Sequence, residues 1–398
     1  MSTVYRVALL LPMNIGYGRG VMQGVGQFVS DLNQGKHESV SQDVRWRIHR
    51  SLPSMDVLPL MRKWQPEGVI AHIDSPELAK RLARLKVPVV NTTSTIPGWE
   101  GPLVEVDHEQ IGNLAAEHFL QRAFRSFGYI GSDWAGFSLS REAAFRSAIA
   151  SAGYEVSSCH LNYLPLPPVD QRWDYVDTQL IAWLKTMKKP AAIFASNDRP
   201  AREVIDACAT LGISVPRDVA VLGVDDDEYE CFLGSPTLSS IVNPSEKIGR
   251  VAAKMLHQLM QGEPTKSTAN NDLRVSVSPP RVSVRQSSDT YHVDDPHLRS
   301  ALELIRDGAV RGLTPAEVHQ QIGCSRRLLE RRFQEVLGRS MVQEIRRVRL
   351  ERAKLLLIET THSIEQIARM SGFSESRLMS TAFKSEFNIT PSQYRKEG

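Results

Sequence analysis

The sequence predicts a parallel α/β domain followed by an all-α domain. Residues 1 to about 285 alternate short β-branched runs with longer amphipathic stretches, the habit of a parallel sheet covered by helices. The polar stretch SSDTYHVDDP, residues 287–296, then breaks the pattern and closes on a proline, as a linker does. Beyond it no convincing strand remains, only helical periodicity with cap residues in front. The expected division is 1–286, a linker at 287–296, and 297–398, within the two or three domains that 398 residues can build.

In chain order, the strand candidates are Tyr5 to Leu11, Gly68 to Ile73, Val87 to Asn91, Ser126 to Gly131, Ala191 to Ser196 and Val219 to Val224. Amphipathic stretches between them predict helices over Tyr17 to Leu32, Glu109 to Arg122, Arg141 to Ala152, Trp173 to Met187, Arg199 to Leu211 and Glu246 to Met260. Further on, Thr314-Pro315 precedes AEVHQQI, Ser325 precedes RRLLERRF, Ser363 precedes IEQIARM and Thr390-Pro391 precedes SQYR. A Ser or Thr oxygen at such a place accepts an orphan N–H of the first turn, so each helix start is chemically marked.

Composition excludes several classes. With 23% charged and 41% hydrophobic residues the chain is neither a disordered tail nor a membrane protein. Met1 to Leu11 runs straight into a strand-like segment without a basic n-region or cleavage site, which predicts a cytoplasmic protein. Cys159, Cys208, Cys231 and Cys324 are scattered without CxxC spacing or a His cluster, so neither disulfides nor a metal site is expected. The net charge of +3 hides an asymmetry, since Tyr291 to Gly398 carries 18 Lys+Arg against 14 Asp+Glu. Ser325 to Lys354 alone holds ten Arg+Lys, nine of them Arg, against four Glu. Such a block is either a solvated helix face or the footprint of nucleic-acid binding.

Two segments of the C-terminal part share one grammar: AEVHQQIGCSRRLLERRF (Ala316 to Phe333) and IEQIARMSGFSESRLMSTAF (Ile364 to Phe383). Each reads as a short helix, a Gly-containing turn, a Ser cap and a longer helix. Aligning the longer helices pairs Leu329 with Met379, Phe333 with Phe383 and Leu337 with Phe387 at an offset of 50, an internal repeat whose i, i+4, i+8 stripe faces a core. The residues between face outward: Arg327, Glu330 and Arg331 in the first helix, and Ser376, Arg377, Ser380 and Thr381 in the second. Arg can bond guanine twice, Glu accepts from cytosine, and Ser or Thr serves either role. Ser325, Arg326 and Lys384 stand beside them as further DNA-contacting candidates. One such unit alone can equally be part of an ordinary helical bundle. Two of them joined by Ser340 to Ile358, a 19-residue helix of ~28 Å at ~1.5 Å per residue, approach the ~34 Å between successive major grooves. The strings RLERAKLLL, SRRLLERRFQEVLG and SIEQIARMSGFSESRLMSTAFKSEFNITPSQYR resemble the AraC/XylS type of DNA-binding domain over roughly Leu298 to Glu397. Two positions depart from that pattern: His319 stands where a small Ala is usual, and Leu378-Met379 replaces an aromatic pair.

In the larger domain, Asn197-Asp198 follows one strand and Asp225 the next, so both should reach the ligand region beyond the carboxyl ends of a parallel sheet. Asn14 and Tyr17 follow the first strand, and Arg141 opens the helix REAAFRSAI. Asp, Asn and Arg accept and donate in pairs to vicinal hydroxyls, which suits a polyhydroxylated ligand. Trp134, Phe137 and Trp173 are either a flat wall for a sugar ring or plain core. The strings G.SVP.DVAVLGVDD, SPTLSSI..P and IGRVAAKML are similar to the effector domain of LacI/GalR repressors and periplasmic sugar-binding proteins, over nearly all of residues 4–285. That resemblance implies two lobes with parallel sheets, hinged by crossovers around a monosaccharide. It places Arg141, Asn197 and Asp225 at sugar-contacting positions, with Asp198 beside them. LacI-type repressors carry their DNA reader before this domain, whereas here Val4 to Leu11 already begins the first strand and the reader comes last.

This order of modules resembles that of pentose-responsive activators. It implies a homodimer that binds operator DNA, responds to a monosaccharide, D-xylose first, and engages RNA polymerase. A regulator answering to a different sugar or small metabolite is the alternative. An enzyme is not expected: Asp225-Asp226-Asp227-Glu228 offers carboxylates, but adjacent loop residues diverge, and neither a phosphate loop nor a GxSxG elbow is present. No cofactor is implied.

Overall fold

The structure is a computed structural model and describes residues 3–34, 44–53, 58–161, 178–262, 273–293 and 295–397. The chain divides into two compact units, one of residues 1–118 and 125–289, the other of residues 119–124 and 290–398.

The first unit begins with β1 (Thr3–Leu10), α1 (Gly16–Asn33), β2 (Val44–Ser51), α2 (Leu58–Trp64), β3 (Gly68–Ala71), α3 (Pro76–Ala83), β4 (Val89–Asn91) and β5 (Leu103–Val106). It continues through α4 (His108–Leu120), β6 (Phe127–Gly131), α5 (Gly136–Ser151), β7 (Val156–His160), α6 (Thr178–Thr186), β8 (Ala191–Ala195), α7 (Asp198–Thr210), β9 (Val219–Asp225), α8 (Glu228–Phe232) and β10 (Ser239–Val242). It ends with α9 (Ser245–Gln261), β11 (Arg274–Val277) and β12 (Val282–Ser283). The strands form two six-stranded sheets, ordered β11-β5-β4-β3-β1-β2 and β12-β10-β9-β8-β6-β7. Every pairing is parallel except β10 with β12. The chain passes between sheets after β5, after β10 and after β11, which gives the two hinged lobes.

The central strands β3 and β8, GVIA and AAIFA, are buried along their whole length, and each Val or Ile there contributes roughly 1.5–3 kcal/mol of transfer free energy. Helix α1 lies against α9 at backbone distance. A Cβ on Gly24 would stand 1.8 Å from the Glu246 carbonyl oxygen, and one on Gly249 2.0 Å from that of Val21. The strand candidates of the sequence omit β2, β5, β7, β10, β11 and β12, and two of these show why. Strand β2, VRWRIHRS, escaped because it lies at the edge of its sheet and exposes four of its last five residues. Strand β10, SSIV, escaped because it opens with two serines, yet Ser239 and Ser240 are fully buried because each hydroxyl has a partner, the Arg285 carbonyl and Asp198.

The second unit contains α10 (Pro296–Gly308), a 3-10 turn (Ala309–Arg311), α11 (Pro315–Ile322), α12 (Arg326–Leu337), α13 (Met341–Glu359), α14 (Ile364–Met370), α15 (Ser376–Phe387) and α16 (Pro391–Glu397). Thr314 with Glu317, Ser340 with Gln343 and Ser363 with Gln366 form capping boxes, and Ser325 accepts the N–H of Leu328. The second long helix differs from expectation: its N-cap is Glu375, which makes no side-chain cap bond. Helix α13 joins two small cores. Met341 and Ile345 enter one with Leu329 and Phe333; Leu350, Ala353 and Leu357 enter the other with Met379 and Phe383. The offset-50 pairs are therefore equivalent core positions. Of the segment 287–296, Ser287 and Ser288 are fully buried and Tyr291 and Val293 belong to the core shared with α10.

Candidate functional site

A cleft of about 590 Å³, in the size range of small-molecule sites, opens beyond the carboxyl ends of β1, β3, β6, β8 and β9. Asn14, Tyr17, Trp134, Arg141, Asn197, Asp198 and Asp225 all line it, as does Phe137, whose ring lies 5.2 Å from the Arg141 guanidinium carbon. Trp173 lies outside the described residues.

These residues have different duties. Asp225 stands on a backbone with φ of +111°, a strained conformation for a non-glycine residue. Its Oδ1 accepts from Asn243 Nδ2 at 2.9 Å, and no other described residue bonds the carboxylate. Burial raises its pKa above the ordinary value, while Arg141 pulls it back. Asp198 is committed to the scaffold instead, accepting from Ser240 Oγ at 2.5 Å and from the Asp227 N–H at 2.8 Å. Burial, then the charge of Asp225, raises its pKa well above the usual carboxylate range. The Tyr17 hydroxyl donates to the Thr92 carbonyl, and burial pushes its pKa up. Asp227 reaches across the lobes: its Oδ2 accepts the N–H of Gly16, at the start of α1, at 2.6 Å, and its Oδ1 faces Arg19 Nη2 at 3.3 Å. Asp226 turns away to Arg285 at 2.7 Å, so the acidic loop does diverge.

Arg141 is held by a chain that the sequence did not suggest. Its Nε donates to His108 Nδ1 at 3.2 Å and its Nη1 to the Ser196 carbonyl. An arginine only donates, so Nδ1 carries no proton, and His108 Nε2–H faces Glu105 at 3.0 Å and Ser94 Oγ at 3.0 Å. Burial lowers the His108 pKa and keeps the ring neutral. Burial pushes the Glu105 carboxyl up, but the His108 hydrogen bond and its neighbours hold it below the ordinary value. His108 follows the strand LVEV by two residues, a position whose meaning shows only once its partners are placed. Its partner Arg141 lies 33 residues on, in the other lobe.

In the second unit, Ser325, Arg326, Arg327 and Arg331 are exposed at the start and along one face of α12. Arg377, Thr381 and Lys384 are exposed on α15, with Ser376 and Ser380 half-buried. Glu330, the remaining candidate on α12, is placed differently from the exposed arginines. It is half-buried, and its carboxylate accepts the N–H of Met341 at 3.3 Å, where it meets the positive end of α13. Leu378 is exposed and Met379 buried. No described helix is long and apolar enough to cross a membrane.

The comparisons with known proteins cover both units. Residues 6–97 match the XylR N-terminal domain, residues 116–288 the periplasmic binding protein-like domain and residues 318–397 a helix-turn-helix domain. The xylose operon regulatory protein of Escherichia coli K12 is 30% identical over 98% of this chain and 97% of its own length. That of Haemophilus influenzae is 26% identical over 98% of each. The solved structure of the xylose-binding transcription activator xylR is similar over 99% of this chain and 98% of its own, with 28% identity and a TM-score of 0.60.

Proposed function

From its membership, since the chain belongs to the family of xylose operon regulatory proteins, we propose that this sugar-sensing, DNA-binding transcription regulator takes D-xylose as its effector and activates a pentose-catabolic operon from the cytoplasm. The observation that carries the effector reading is the cleft itself. From one lobe, Asp225 brings a carboxylate with unused acceptor capacity, and Arg141 is aimed by His108 and Glu105. Vicinal hydroxyls need this alternation of acceptor and donor. The Asp227 link to Gly16 gives the two lobes a contact that a bound sugar would reinforce.

A ligand shifts this equilibrium only by its preference for one state, and a tenfold preference supplies roughly 1.4 kcal/mol of coupling. The protein acts as a homodimer that presents its paired readers to direct-repeat half-sites and contacts RNA polymerase when sugar is bound. Ser325, Arg326, Arg327, Arg331, Ser376, Arg377, Ser380, Thr381 and Lys384 supply the DNA contacts. The domain division at 287–296 serves as the joint between sensing and reading.

A thermal-shift panel of pentoses and hexoses on the purified protein tests the effector. A ligand at 100 times its Kd stabilises the folded state by ~2.7 kcal/mol, so D-xylose should raise the midpoint selectively. No shift with any sugar overturns the assignment.

A further inference from the structure

His72 follows β3 at the mouth of the cleft, on the lobe opposite Arg141 and Asp225. Its backbone is pinned on both sides: its own N–H donates to the Leu10 carbonyl at 2.9 Å, and the next N–H, of Ile73, to Asn91 Oδ1 at 3.1 Å. The ring packs edge-on against Tyr17, with centroids 5.8 Å apart. Its Nδ1 is buried without a hydrogen-bond partner among the described residues; Nε2 is not among the buried unpartnered atoms, and the residue lines the cleft. Burial brings the imidazole pKa down to about 4, so the ring is neutral and holds a single proton. A buried N–H without a partner is rarer and less tolerable than a bare lone pair. The proton therefore belongs on Nε2, where a ligand can accept it.

We propose that His72 is a specificity-determining donor of this sensor, giving one neutral N–H to a hydroxyl or ring oxygen of the effector from the lobe that Arg141 and Asp225 do not reach. The chemistry of the surroundings makes such a donor informative. Asp74 and Glu105, which line the same side, are acceptors, so a ligand oxygen facing them must donate while the one facing His72 must accept. Contacts from both lobes to one ligand are also what couples its binding to closure.

The inference rests on the sugar reading, and the experiment separates the two. Binding of D-xylose and each of its monodeoxy analogues is measured by calorimetry on the full-length protein, His72→Leu and His72→Gln. Loss of one neutral hydrogen bond predicts about 5- to 10-fold weaker D-xylose binding by His72→Leu. One monodeoxy analogue should lose a similar factor on the native protein and nothing further on His72→Leu, and His72→Gln, which keeps a donor, should recover part of the affinity. If His72→Leu binds every sugar as the native protein does, or weakens all of them while preserving every deoxy penalty, the proposal is wrong. If the native protein binds no sugar at all, the effector reading fails first.

Discussion

Asp225 in the cleft and Glu344 on α13 are both carboxylates taken out of water, and their surroundings differ in kind. Among the described residues Asp225 has one hydrogen bond, from an amide, and a net raised pKa because burial outweighs the pull of Arg141. Glu344 is fully buried and accepts from Arg339 Nε at 2.5 Å and from Arg347 Nε and Nη2 at 3.0 and 2.8 Å. Burial would push its carboxyl up, but Arg347 and Arg339 hold it below the ordinary value. The same two arginines donate onward to Gln121, Arg339 to its carbonyl and Arg347 to its Oε1, each at 3.0 Å. A buried charge with every valence filled is scaffold. One left short is waiting for something the chain does not contain.

The largest test falls on the filled network. Glu344→Ala leaves two half-buried guanidinium groups without their counter-charge, a loss of up to about 3–5 kcal/mol, the range for removing one partner of a buried pair. Calorimetry of the full-length variant should show the C-terminal unit melting early while the sugar-induced shift persists. A loss below ~1 kcal/mol would mean that Glu344 is no anchor.

Asp225→Asn should act in the opposite direction. Removing a charge whose burial is only partly compensated stabilises the ligand-free protein by about 0.5–2 kcal/mol, and the response to sugar disappears. The pH dependence has a definite sign. A carboxyl whose folded pKa is raised destabilises the folded state at neutral pH, and this is relieved as pH falls through the raised value towards 3.8. The advantage of the Asn variant should therefore be greatest near neutrality and shrink on acidification. The difference between the proteins is the useful quantity, because the lowered pKa values of His72 and His108 make the native sensor lose stability as pH falls below 6.5. Glu344 runs the other way from Asp225: its contribution is complete above 4.5 and is lost only as pH drops through its lowered value. An advantage that stays constant from neutral pH to 4 would show that Asp225 carries no raised pKa.

This contrast also explains what the sequence could disclose. Asp225 and Asn197 were legible because strand ends fix where a parallel sheet presents its loops, a rule that needs only local pattern; Arg141 was legible through the family resemblance, since α5 begins at Gly136 and not at Arg141. The double helix-turn-helix was legible because its caps and its offset-50 core pairs are local too. His108, Glu105, His72 and Asn243 were not, since their meaning depends on which group stands opposite them. His108 meets Arg141 across 33 positions, and Asn243 meets Asp225 across 18. Asp198 illustrates the converse: its position after a strand is right for a ligand contact, but Ser240 and the Asp227 N–H already occupy its oxygens.

The smallest effects lie on α12, where the same distinction separates two neighbours of opposite sign. Arg327 is exposed and has no hydrogen bond or ion pair among the described residues, whereas Glu330 is spent on the N–H of Met341. Arg327→Ala should therefore lose about 1–3 kcal/mol at one base position and relax specificity there, with sugar binding intact. Glu330→Ala should lose about 1 kcal/mol of stability, in the manner of a lost helix cap, with the base preference unchanged. Binding to a library of single-base operator variants reads both. A uniform loss across all variants for Arg327→Ala would make it a phosphate contact, and a base-specific loss for Glu330→Ala would mean that this carboxylate leaves Met341 to meet DNA. Either result would limit the rule to buried charges, because at an exposed surface water can satisfy a side chain that the protein does not.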